Sequence, residues 1–263
     1  MRISNPSLFI VGAGPGDPEL ITVKGIRAIQ QADVILYDAL VSPALLENAN
    51  ENCKRVYVGK RKGKKEFAQE EINQLLVFYA ERFAKVVRLK GGDINVFGRG
   101  HEEFKYAADR GISVELIPGI SSSLAAPTSA GIPLTMRGVN ESFWVVTGTT
   151  SNGNISTDLS LAAQSSATIV VLMGVSHLEE IADLIQKLRS PFEPMAVIQH
   201  ATLPQQKTIV GSASTICQLA FENDIASPAV IVIGKVVDER RMMEEVLVNR
   251  KVKSRILKSN FFH

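Results

Sequence analysis

Short apolar runs rich in β-branched residues alternate with helix-period patterns along most of this chain. That alternation is the strongest constraint on its fold. Leu8-Phe9-Ile10-Val11 reads as a buried strand ending in glycines. A helix is expected from about Thr22 to Gln31, with Ile26 and Ile29 facing inward. Val34 to Tyr37, Arg55 to Val58, Val86 to Leu89 and Val114 to Ile117 read as further strands. Between them, Glu70 to Phe83 carries Ile72, Leu75, Leu76 and Tyr79 at helical spacing, and Gly100 to Arg110 reads as a helix closed by Gly111. The expected fold class is therefore α/β, with open, mostly parallel sheets covered by helices on both faces.

A second α/β series follows a stretch rich in Ser, Ala, Gly and Pro, from Pro118 to Pro133. Its strands are expected at Phe143 to Val146, Thr168 to Leu172, Met195 to Ile198 and Ala229 to Ile233. Helices are expected near His177 to Leu188 and Ser214 to Phe221, with a loop at Ser151 to Asn154. The chain of 263 residues has room for two cores. The expected organisation is an N-terminal domain over 1–137, a C-terminal domain over 138–237 and a charged tail over 238–263.

Composition narrows the class. With 45% hydrophobic and 21% charged residues, the chain is an ordinary globular one. No apolar run approaches the roughly 20 residues that span a bilayer, and Met1 to Pro6 lacks a signal-peptide core. Cys53 and Cys217 are far apart and neither sits in a Cys-x-x-Cys pair, which argues for a reducing cytoplasm. The four histidines lack ligand spacing, so no metal site is expected.

The net charge of +2 conceals an uneven distribution. Seven basic residues and no acidic one fall between Lys54 and Lys65, and five more with no acidic one between Arg250 and Lys258. The rest of the chain carries 17 basic and 27 acidic residues, a balance of −10. Such acid-free basic segments suit a polyanionic small molecule or a phosphate backbone. Aromatic residues for base stacking are sparse around the first segment, which disfavours nucleic acid.

The loop Gly12-Ala13-Gly14-Pro15-Gly16-Asp17 follows the first strand. Glycines there allow close approach of a ligand to the backbone. The dinucleotide fingerprint would place glycine at position 17, where Asp17 stands, and Pro15 removes a donor N–H. Asp38 ends the second strand in the place of a ribose-binding carboxylate, but the loop does not support that assignment.

Val11 to Asp17, with Leu20-Ile21-Thr22-Val23-Lys24-Gly25, resembles the opening signature of the tetrapyrrole methylases. Further segments resemble the branch that methylates uroporphyrinogen III. They are Tyr37 to Ser42, Val58-Gly59-Lys60-Arg61, Arg88 to Asp93 with Phe97-Gly98-Arg99-Gly100, Ile117 to Ile120, and Gly131 to Thr135. The resemblance runs in unbroken order from about Leu8 to Val237. It implies two α/β domains with S-adenosylmethionine bound in the cleft between them, S-adenosylhomocysteine as product, and a homodimer.

Carried over by motif, the resemblance implies cofactor contacts at Pro15, Gly91, Gly92, Asp93, Val96, Ser121, Ser122, Met173 and Ala201. It implies Asp38 as proton acceptor and Lys60 as proton donor. Arg61 and Arg137 are candidate partners for substrate carboxylates, since guanidinium binds carboxylate bidentately. Arg88 and Arg99 could serve the same way or act as structural ion-pair residues. Three places depart from the family pattern: Ile94-Asn95 after Asp93, Met136 before Arg137, and Thr149 after Gly148. A methylase of a later corrinoid precursor is therefore an alternative, and an anion-binding or nucleic-acid-binding module is one of another class.

Overall fold

A computed structural model describes residues 8–59 and 67–240. Lys60, Arg61 and the basic tail beyond Arg240 lie outside the described residues. The chain divides into two compact units, Met1–Ser122 and Ser123–His263.

The first unit is built on a parallel sheet of five strands, β1 (Leu8–Gly12), β2 (Val34–Tyr37), β3 (Lys54–Tyr57), β4 (Val86–Lys90) and β5 (Val114–Ile117). Their order is β3-β2-β4-β1-β5. Side chains alternate between the faces with a period of two. Leu8, Ile10, Val34, Leu36 and Val86 pack with Ile72, Leu76 and Ala107 of helices α3 (Gln69–Ala80) and α4 (Gly100–Ala108). Val11, Ile35, Val87 and Leu89 pack on the other face with Ile29 of α1 (Val23–Gln30) and Leu45 of α2 (Pro43–Leu46). Thr22 caps α1 by accepting from the Gly25 N–H at 3.0 Å, as a threonine before a helical run does.

This topology fixes where a ligand can sit. The chain leaves β1 through α1 and crosses to β2, on the β4 side. It leaves β4 through α4 and crosses the opposite face to β5, on the far side of β1. β1 and β4 are adjacent strands whose connections run in opposite directions, so their C-terminal ends form a topological switch point, the usual ligand crevice of open α/β sheets.

The second unit has five strands, β6 (Phe143–Thr147), β7 (Thr168–Leu172), β8 (Pro194–Gln199), β9 (Lys207–Ser212) and β10 (Ala229–Ile233), in the order β6-β7-β10-β8-β9. Helices α6 (Thr157–Ala163), α7 (Leu178–Leu188) and α8 (Ile216–Glu222) cover one face. Here only the β6–β7 pairing is parallel, and β10 runs antiparallel to both its neighbours. The parallel expectation thus describes the first sheet throughout, whereas the second is mixed. The cause is β9: it folds straight back on β8 with no crossover helix, which reverses the chain before β10.

Helix α5 (Ser122–Ser129) opens this unit. Its Ala126, with Ala130 and Ile132 just beyond, packs against Val170, Leu172, Ala196 and Ile198 on the other face of the second sheet. That packing places the division after Ser122, earlier than the expected boundary at 137. Among the described residues no helix is long and apolar enough to cross a membrane, and no group of three His, Cys, Asp or Glu could hold a metal ion.

Candidate active site

Because the first sheet is fully parallel, every loop that follows one of its strands leaves from the same edge. That edge gathers the glycine loop, Asp38, Gly59, Gly91-Gly92-Asp93 and Gly119. The backbones there approach very closely. A Cβ on Gly12 would stand 2.5 Å from the Gly119 nitrogen, and one on Gly119 only 2.4 Å from the Gly92 oxygen. Gly14 (φ +81°) and Gly92 (φ +70°) pair directly across the switch point, with Gly92 N–H donating to Gly14 O at 2.7 Å and Gly14 N–H to Gly92 O at 3.2 Å. The glycine loop is therefore tied to the end of β4. Gly92 offers room rather than free hydrogen-bonding groups, since only the Ser122 nitrogen lies within 4 Å of its would-be Cβ.

Asp93 closes this arrangement. Its Oδ1 accepts from the Asn95 and Val96 N–H groups at 2.8 and 3.2 Å, and its Oδ2 from Gly119 N–H at 3.1 Å. A carboxylate has about four lone-pair positions, so one acceptor position remains for a hydroxyl or an ammonium. Asp93→Asn must present an amide to at least one of these donors. We expect it to cost about 1–3 kcal/mol through that unpaired N–H, seen as a lower urea midpoint.

Val96, 37% exposed, sits on the loop that Asp93 pins. Pro15 is half-buried in the glycine loop, Ser122 is half-buried and Ser121 is buried. Pro15, Gly91, Gly92, Asp93, Val96 and Ser121 thus lie in the loops beyond β1, β4 and β5, and Ser122 is the first residue of α5.

Asp38 stands one residue past the Tyr37–Leu89 pairing of β2 with β4. Its Oδ1 accepts from Leu40 N–H at 3.1 Å and its Oδ2 from Arg88 Nη2 at 3.4 Å. The side chain remains 25% exposed, so a ligand at the sheet edge can reach it. Arg88 is 4% exposed and gives its other donors to Glu103 Oε1 (3.1 Å) and the Leu89 carbonyl (2.9 Å). Its guanidinium pairs with acceptors of this chain, as a structural ion-pair residue does. Arg99 likewise pairs with Glu102, at 2.6 Å on the surface.

Sequence reasoning missed the buried cluster behind Asp38. Arg88 and Lys90 lie two apart on a strand with no exposed residue, so they share one face, and two buried cations require a buried anion. Glu103, fully buried in the first turn of α4, is that anion. Its Oε1 accepts from Lys90 Nζ (2.8 Å), Arg88 Nε (3.1 Å) and Gln69 Nε2 (3.3 Å). Burial, reinforced by the neighbouring Arg88 charge, pushes the Lys90 ammonium below its ordinary pKa.

In the second unit, Met173 follows β7 and Ala201 follows β8 by two residues. Leu172 and Ile198 flank Val230 of β10 from opposite sides, so both residues emerge at one edge of the second sheet. Met173 is 53% exposed at φ +57°, its carbonyl accepting from Thr149 Oγ1 at 2.7 Å. Ala201 is buried between His200 (φ +49°) and Thr202 (φ +69°). Arg137 is exposed. Of the six non-glycine residues with positive φ among the described residues, Phe97, Met173, His200 and Thr202 flank or are candidate cofactor positions. Such conformations cost energy and cluster where a ligand imposes a backbone shape. Open space at Gly92 and spare acceptor capacity at Asp93 suit a polar ligand at the edge of the first sheet.

The family model for Tetrapyrrole (Corrin/Porphyrin) Methylases matches residues 7–217. The chain is 47% identical over 233 residues to a uroporphyrinogen-III C-methyltransferase of Methanocaldococcus jannaschii, covering 88% of this chain and 96% of that protein. It is 43% identical to a siroheme synthase of Chromobacterium violaceum, again over 88% of this chain but only 50% of that one. The chain spans about half the length of the siroheme synthases it matches. Among solved structures, the uroporphyrin-III C-methyl transferase of Thermus thermophilus complexed with S-adenyl homocysteine is 38% identical. The likeness covers 88% of this chain and 92% of that one, with a TM-score of 0.75. A family match over most of the chain and near full-length similarity to a named relative carry one conclusion: this chain belongs to the tetrapyrrole methylase family.

Proposed function

We propose that this chain is an enzyme that transfers methyl groups from S-adenosylmethionine to C2 and then C7 of uroporphyrinogen III, giving precorrin-2. The observation that carries this reading is the near full-length match to the archaeal C-methyltransferase. When bound, the donor supplies an electrophilic methyl group on a sulfonium centre.

The chain's own residues supply the rest. Gly92 leaves room at the switch point, Asp93 offers its remaining acceptor position, and Pro15, Val96, Ser121 and Ser122 complete that edge. Met173 and Ala201 contribute from the second unit, Met173 as an apolar wall. Methylation of a pyrrole carbon leaves the macrocycle cationic, so a proton must depart. Asp38, partly exposed, stabilises that charge and takes the proton. Lys60 is the matching proton donor, and Arg61 and Arg137 hold substrate carboxylates. The reading includes homodimeric assembly and a cytoplasmic setting, in which Cys53 and Cys217 stay free thiols.

Mass analysis of the product formed anaerobically from uroporphyrinogen III and S-adenosylmethionine tests the proposal. A gain of two methyl groups is expected. An unchanged substrate mass, with the donor still bound, would move the assignment to another tetrapyrrole.

A further inference from the structure

The cluster behind Asp38 has a composition that stability alone does not explain. It holds two cations, Arg88 and Lys90, and two carboxylates, Glu103 and Asp38, so its charges balance. Three of the four groups are essentially out of water, at 4%, 5% and 0% exposure for Arg88, Lys90 and Glu103. Burying an ion pair is frequently neutral or unfavourable compared with an apolar core of the same volume. Glu103 is moreover imperfectly satisfied. Its Oε1 receives three donors while its buried Oε2 has no hydrogen-bond partner among the described residues. A buried oxygen left unpaired lowers stability, which points to the charge as the reason for this residue.

The connectivity gives that charge a task. Arg88 reaches Glu103 through Nε and Asp38 through Nη2, so one rigid guanidinium spans the buried carboxylate and the exposed one. Its Nη1 is held by the Leu89 carbonyl at 2.9 Å, which fixes the plane. The contact to Asp38 is the longest of the three, at 3.4 Å. Asp38 is thus held in place without being drawn fully into an internal ion pair. If the charge of Glu103 were removed, Asp38 would be the one carboxylate still paired with Arg88 among the described residues. The electrostatics would then pull the Asp38 carboxylate inward, away from the exposed edge.

We propose that Glu103 is a positioning residue for Asp38. By neutralising Lys90 and sharing Arg88, it keeps the Asp38 carboxylate free to face the substrate. The proposal rests on the reading of Asp38 as proton acceptor.

The test compares Glu103→Gln, the charge-balanced pair Glu103→Gln/Lys90→Met, and Asp38→Ala in the full-length chain. Glu103→Gln is expected to lower kcat about tenfold or more, leaving the affinity for S-adenosylmethionine within about twofold of native. The balanced pair is expected to recover kcat to within about threefold of native. A residue that only braces α4 against β4 would behave otherwise, because the second substitution would deepen the defect. Native kcat in a folded Glu103→Gln overturns the proposal. So does a balanced pair that fails to fold, or that folds without regaining kcat. Full activity of Asp38→Ala would instead remove the reading of Asp38 on which the proposal rests, so the two failures are distinct.

Discussion

Asp38→Ala is expected to bind S-adenosylmethionine normally and to lose turnover by roughly 10²–10⁴-fold, the range that a positioned acid or base contributes. Donor binding should survive because Asp38 follows β2, one strand away from the Gly14–Gly92 pairing, which makes no hydrogen bond to it. Asp38→Asn separates geometry from charge. An asparagine oxygen still accepts from Leu40 N–H, so the loop keeps its turn, but the side chain neither compensates a developing cation nor takes a proton. Both variants should therefore fail in the chemical step alike. Calorimetric titration with the donor, run beside anaerobic turnover of uroporphyrinogen III, measures both quantities. A variant turning over at the native rate would exclude Asp38 from the mechanism.

Much of this site was legible because its parts are local. Strand β1, the glycines after it and the helix after those are consecutive in sequence, so spacing alone placed the loop at a strand end. Asp38 and Gly91-Gly92-Asp93 also follow apolar runs directly. That they share one edge depends on strand direction, which the helical crossovers implied. Glu103 was not legible in the same way. Nothing near it in sequence shows that its side chain turns inward, whereas its neighbour Glu102 pairs with Arg99 on the surface. The available signal was Arg88 and Lys90 alternating with Val87 and Leu89 in a strand otherwise read as core. The edge strand β9 escaped for a related reason. Lys207-Thr208-Ile209-Val210-Gly211-Ser212 has one buried residue, so its apolar pattern is too short to register. The early division after Ser122 also depends on tertiary contact. Helix α5 is small and polar in sequence and contains Pro127, and only its packing on the second sheet shows to which unit it belongs.

The second large effect is expected at Gly119. Its φ lies outside the left-handed range, so an alanine there meets no intrinsic backbone strain. The obstacle is steric and consists of backbone. The new methyl carbon would stand 2.4 Å from the Gly92 oxygen and 2.7 Å from Gly12 Cα and carbonyl carbon. Those atoms belong to the ends of β4 and β1, so no side chain can rotate away. Relief requires the end of β5 to move off, which lengthens the 3.1 Å bond from Gly119 N–H to Asp93 and loosens the loop carrying Val96. We expect Gly119→Ala to cost about 3 kcal/mol, at the upper end for overpacking, which lowers Tm by roughly 6–12 °C in a chain of this size. Affinity for S-adenosylmethionine should fall in parallel, because the same movement disturbs Gly92. Gly111→Ala provides the contrast. There φ is +78° but nothing lies within 4 Å of the new carbon, so the cost is conformational alone, about 1 kcal/mol. Donor affinity in that variant should be unchanged. Equal donor affinity in the two alanine variants would show that the close contact of Gly12, Gly92 and Gly119 has no part in shaping the donor site.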